Sequence, residues 1–139
     1  MAILMLQGIV SKKMHSTVCD PGFLKEWLPQ IVTDIGMQSV GKPIVEQYKH
    51  WEGSTPSAVQ FIEAPSTHIP SHTTGVQILT ESSITVHCYP DAFFQILLDS
   101  CRPIERWHLV RNKIMASLNM TLDYCYYDDR WGWKGASKC

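Results

Sequence analysis

The chain has 139 residues, 45% of them apolar, with 12 basic and 13 acidic side chains and a formal charge of −1. That length fits one domain with a modest core, spanning residues 1–139. Acidic and basic residues are mixed and no long basic run occurs. This argues against nucleic acid and anionic membrane as partners, because both call for a concentrated cationic face.

The opening MAILMLQGIV carries no positive residue ahead of its apolar stretch and no small-residue cleavage pattern after it. It reads as a strand and not as a signal peptide. A strand is expected over 5–18, through Leu6, Ile9, Val10, Met14 and Val18, with Gly8 marking a bulge. Asp20 then serves as N-cap and Pro21 as the first helical residue, where a missing N–H costs nothing. Phe23, Leu24, Trp27, Leu28, Ile31, Val32 and Ile35 recur at helical spacing. Pro29 inside that pattern predicts a kink or break, and Gly36 a stop.

Residues 43–51 and 58–63 read as strands around a Gly-Ser-Thr-Pro turn, and 64–73 as a loop. From Gly75 to Tyr89 the chain is strand-like, with Ile84, Val86 and Cys88 on one face and Thr85, His87 and Tyr89 on the other. Residues 92–100 fit strand or helix equally. A helix is expected from about Pro103 to Leu118, through Ile104, Trp107, Val110 and Ile114. A last strand follows over 120–127, with Met120, Leu122, Tyr124 and Tyr126 sharing a face, and then a loose tail. This order predicts an α+β fold: a two-layer sandwich of a mainly antiparallel sheet with helices on one face. Five cysteines, odd in number, widely spaced and never in CxxC form, predict reduced thiols and a cytoplasmic protein.

The chemistry-bearing stretch is TGVQILTESSITVHCYPD, Thr74 to Asp91, followed by Cys101. It resembles the processing segment of the prokaryotic S-adenosylmethionine decarboxylase proenzymes. Those carry a glycine-rich turn, an aliphatic strand, Glu-Ser-His-aliphatic-Ser/Thr-aliphatic-His-Thr-Trp-Pro-Glu, and then an active-site cysteine. Glu81-Ser82, Thr85, His87 and Pro90 match in register, and Cys101 stands close to the expected distance. The resemblance covers roughly residues 74–101.

The resemblance implies self-cleavage between Glu81 and Ser82, which converts Ser82 into a pyruvoyl cofactor. Ser82 would be the nucleophile, Glu81 would supply the attacked carbonyl, and His87 would remove the Ser82 α-proton. Thr74 stands where the family has a serine hydroxyl used in processing. Cys101 would protonate the decarboxylated product, with Cys88 a weaker rival because its parity points to the aliphatic face. Ile84, Tyr89 and Asp91 would contact a small-molecule substrate, S-adenosylmethionine, feeding polyamine synthesis, and the enzyme would be a homodimer.

The chain departs from the pattern at Ser83, Cys88, Tyr89 and Asp91, where the family has His, Thr, Trp and Glu. Decarboxylation of a basic amino acid, arginine or ornithine, is one alternative. An uncleaved binding or regulatory relative is the other. His68, His72 and His87 invite a zinc reading, but Pro70 argues against one helix face presenting the first two. No metal is expected. Trp131 and Trp133 read as an interface patch.

Overall fold

Apolar residues alternate along most of the strands, and alternation of period two buries one face of a sheet and leaves the other free. A computed structural model describes residues 1–48, 72–89, 92–129 and 136–138. Strand β1 (Ala2–Val10) lies between β5 (Phe93–Ser100) and β6 (Met120–Asp129), antiparallel to both. Beyond β5 come β4 (Ser82–Cys88), β3 (His72–Leu79) and β2 (Ile44–Tyr48); beyond β6 comes β7 (Ala136–Lys138). The order across the sheet is β2-β3-β4-β5-β1-β6-β7.

Two helices cover one face, α2 (Pro21–Asp34) and α3 (Trp107–Leu118), as expected for the α+β sandwich. Leu24, Leu28, Ile31 and Val32 of α2 and Ile114 and Leu118 of α3 pack on Leu4, Leu6, Ile84, Val86, Phe94, Ile96 and Leu98, all fully buried. Each such aliphatic side chain contributes about 1.5–3 kcal/mol of transfer free energy, which makes this layer the main stabilising term. Trp27 ties the helices together, its indole N–H donating to Ser117 Oγ at 2.9 Å.

Several local expectations change. The first strand stops at Val10, and Lys12–Val18 form a short helix, α1. Met14 and Val18 are four apart, a spacing that suits a helix as well as a strand. The strand reading fails because both neighbours run out there: Ile9 pairs with Phe93, the first residue of β5, and Val10 with Met120, the first of β6. Helix α2 runs through Pro29 without a break. Asp20 caps it as expected, accepting from Phe23 N–H at 3.2 Å, and Gly36 follows its end at φ +78°.

Helix α3 begins at Trp107, four residues later than expected. Before it the chain makes a turn, Trp107 N–H to the Ile104 carbonyl at 3.1 Å, and the Ile104 N–H donates to the Tyr127 hydroxyl at 3.1 Å. The 92–100 ambiguity resolves as strand β5. Segment 120–129 changes face part-way: Met120 points inward, but further along Cys125 and Tyr127 are buried while Tyr124 is exposed. The cause is a bulge in β6, where Asp123 is the extra residue: Gln7 pairs with Tyr124 but Gly8 with Leu122. Strand β1, expected to bulge at Gly8, keeps its alternation. One extra residue inverts the parity. The tail contributes β7 instead of being loose throughout. The expected strand 58–63, most of the 64–73 loop, Trp131 and Trp133 lie outside the described residues.

Candidate active site

The hairpin β3–β4 has a two-residue turn, Thr80-Glu81, closed by the pair Leu79↔Ser82. Glu81 sits at φ +66°, a left-handed conformation that costs a non-glycine residue about 1–2 kcal/mol. Ser82 leaves the turn as the first residue of β4, paired with Ser100 at the end of β5. Its hydroxyl donates to Ser100 Oγ at 3.2 Å. One step outward, the Cys101 N–H donates to the Glu81 carbonyl oxygen at 3.0 Å. Arg102 forms an exposed ion pair with the Glu81 carboxylate at 2.8 Å.

A pocket of about 230 Å³ opens at this corner, lined by Met1, Glu81, Ser82, Ser83, Asp99, Ser100 and Cys101. Cys101 is exposed and is the free cysteine among the described residues. Cys101, 19 residues after Ser82 in sequence, therefore meets Glu81 and Ser82 because β4 and β5 are antiparallel neighbours. A second pocket, of about 350 Å³, adjoins Glu81 and Ser82 from the side of Gly36 and Arg102.

Thr74 and His87 are brought together elsewhere. They are cross-strand partners, with Thr74 Oγ1 and His87 Nδ1 3.0 Å apart. The separation from Ser82 is five residues of extended strand, about 16 Å. Parity adds to it: Ser82 follows Ile84 and Val86 toward the helices, while His87 is on the open face. Tyr89 belongs with His87, with ring centroids 5.6 Å from His72, 6.1 Å from His87 and 5.7 Å from Phe93. Ile84 is fully buried in the core and lines neither pocket at Ser82. Asp91, Pro90 and His68 lie outside the described residues. Gly75, expected to begin a strand, sits within β3, where a Cβ would come 2.9 Å from Leu28 Cδ1.

Partial burial holds the His87 imidazole below its ordinary value of 6.5, so it stays a neutral base into mildly acidic solution. Because the folded value lies below the unfolded one, this group stabilises the fold above pH 6.5, and that contribution is lost as pH falls through the folded value. Wild type should therefore lose more melting temperature on mild acidification than His87→Gln. Equal losses in paired thermal melts would contradict the shift.

Two features were not foreseen. Cys19 and Cys88 form a disulfide, their Cα atoms 5.5 Å apart, and Cys125 is also disulfide-bonded, which corrects the reduced-thiol expectation. The helix α1 that replaces the end of the expected strand brings Cys19 to the end of β4, where Thr73 Oγ1 donates to its carbonyl at 2.6 Å. Asp99 is the other: its Oδ1 accepts from the Ser83 N–H at 2.8 Å and from the Ser83 hydroxyl at 2.6 Å. The pairing of β4 with β5 that makes these partners depends on register, which spacing alone does not reveal. Among the described residues, no helix is long and apolar enough to cross a membrane. No known family model matches the chain, and no curated protein matches it.

Proposed function

We propose that the chain is a divergent, self-processing decarboxylase of the pyruvoyl-dependent S-adenosylmethionine decarboxylase kind, cutting itself between Glu81 and Ser82. One observation carries the reading. The carbonyl that Ser82 would attack already accepts a backbone N–H, from Cys101, and belongs to a residue in a left-handed turn. Attack of Ser82 Oγ on the Glu81 carbonyl carbon places negative charge on that same oxygen, where a preorganised donor is worth most. The amide nitrogen takes a proton and leaves, and the peptide becomes an ester. Loss of the Ser82 α-proton then expels the Glu81 carboxylate. Addition of water and departure of ammonia leave a ketone at the new N-terminus of 82–139.

The surroundings of position 82 fit such a group, since Ser82 and the free Cys101 border one pocket. When formed, it supplies an electron sink for decarboxylating an amine-bearing substrate. Cys101 Sγ would deliver the proton to the product carbon. His87 on β4 and its cross-strand partner Thr74 on β3 are too far along the hairpin to serve Ser82 of their own chain. A homodimer whose sites are completed across the interface, as the resemblance implies, would have to supply the base for the Ser82 α-proton from the partner chain.

S-adenosylmethionine is the substrate that the resemblance implies. A second reading, a small basic amino acid, is favoured by the pocket itself. At about 230 Å³ it is below the usual range of about 300–1,000 Å³ for larger ligands, and the Asp99 carboxylate lines it.

Intact mass under denaturing conditions tests the proposal. The expected result is two chains, 1–81 and 82–139, the second lighter than a serine terminus by the mass of ammonia and blocked to Edman degradation. A single chain that stays uncut would overturn the reading and leave the fold as a binding or regulatory module. In the processed protein, Cys101→Ala should leave cleavage largely intact and lower decarboxylation about a hundredfold, the usual scale for a lost general acid. Unchanged turnover would remove Cys101 from the mechanism.

A further inference from the structure

Ser82 is held on both of its flanking peptides. On the near side, Cys101 N–H fixes the Glu81 carbonyl at 3.0 Å. On the far side, Asp99 Oδ1 takes both the Ser83 N–H, at 2.8 Å, and the Ser83 hydroxyl, at 2.6 Å. Hydrogen bonds to an ionised acceptor are the shorter and stronger kind, and two on one oxygen leave the Ser82–Ser83 peptide little freedom to rotate. With both peptide planes set, the main remaining freedom of Ser82 is its χ1 torsion. Rotation of that torsion takes Oγ from its present partner, Ser100 Oγ, to another staggered position.

We propose that Asp99 is a positioning residue for self-processing, acting through Ser83 to present Ser82 to the Glu81 carbonyl. This rests on the reading that the chain cleaves itself. Asp99 does not act on the reacting atoms. Its effect is on the first step, the shift of the Glu81 acyl group from nitrogen to oxygen, and not on the elimination that follows. The two steps are separable, because hydroxylamine attacks an accumulated ester. It takes the Glu81 acyl group as a hydroxamate and frees Ser82 with its amine and hydroxyl intact.

The experiment follows cleavage of freshly made full chain by intact mass, with and without hydroxylamine at neutral pH, alongside the melting temperature of each variant. Asp99→Ala should cleave about a hundredfold more slowly than wild type, the scale expected for a misplaced nucleophile. Asp99→Asn, whose amide oxygen can accept the same two hydrogen bonds, should fall between wild type and alanine. Ser83→Ala, which loses only the hydroxyl contact, should also be intermediate. Hydroxylamine should accelerate none of the three, since no ester accumulates.

Cleavage of Asp99→Ala at the wild-type rate would overturn the proposal while leaving self-processing in place. So would rescue by hydroxylamine, which would move Asp99 to the elimination step. If Asp99→Ala does not fold, Asp99→Asn and Ser83→Ala carry the test: wild-type rates or hydroxylamine rescue in both would refute it. A wild-type chain that never cleaves would refute both this proposal and the reading beneath it.

Discussion

Replacing Ser82 with alanine should abolish both self-cleavage and decarboxylation, leaving one uncut chain of 139 residues. The hydroxyl is nucleophile and cofactor source at once, so its removal leaves no slower route to the same product. Ser82→Cys keeps a nucleophile at the position and should process slowly. The fold should survive either change. Ser82 Oγ makes one hydrogen bond, to Ser100 Oγ, and a bond of that kind is worth about 1 kcal/mol net. Intact mass and a thermal melt on the same sample separate loss of chemistry from loss of structure. A Ser82→Ala chain that still broke between residues 81 and 82 would remove the serine from the reaction and end the pyruvoyl proposal.

The largest expected effect on stability lies at Gly8, far from that chemistry. A Cβ built there would fall 2.2 Å from the Thr121 carbonyl oxygen and 2.9 Å from the Met120 terminal methyl. The methyl can move, but the carbonyl belongs to β6, which is paired with β1 on both sides of this point. Overpacking of this sort costs about 1–3 kcal/mol, and a backbone obstacle puts Gly8→Ala at the upper end. Equilibrium unfolding in denaturant would measure it, and a loss below about 0.5 kcal/mol, the scale of neutral surface changes, would mean that the bulge can relax. Processing offers an independent readout. The Glu81–Ser82 corner is built by β3, β4 and β5, so Gly8→Ala should slow cleavage only in proportion to the fraction unfolded.

The disulfide between Cys19 and Cys88 illustrates how the site and the fold depend on one another. Cys88 follows His87 on β4, and its burial agrees with the parity read from Ile84 and Val86. Parity could say which way Cys88 points. It could not say what it meets, because Cys19 reaches that place only through the helix after Val10.

The amino-acid sequence by itself determined the layer architecture, the Asp20 cap and the faces of β4. Each rests on a period or a local backbone preference shared among neighbouring residues. It also singled out Glu81, Ser82 and Cys101, which the antiparallel pairing of β4 and β5 gathers at one corner. Tertiary structure alone decided the rest. The first strand ends at Val10 because β5 and β6 end opposite it, the parity of β6 inverts because a bulge inserts one residue, and Asp99 grips Ser83 because register makes them partners. The separation of His87 from Ser82 belongs to the same class, since five residues are close in sequence but span about 16 Å once extended.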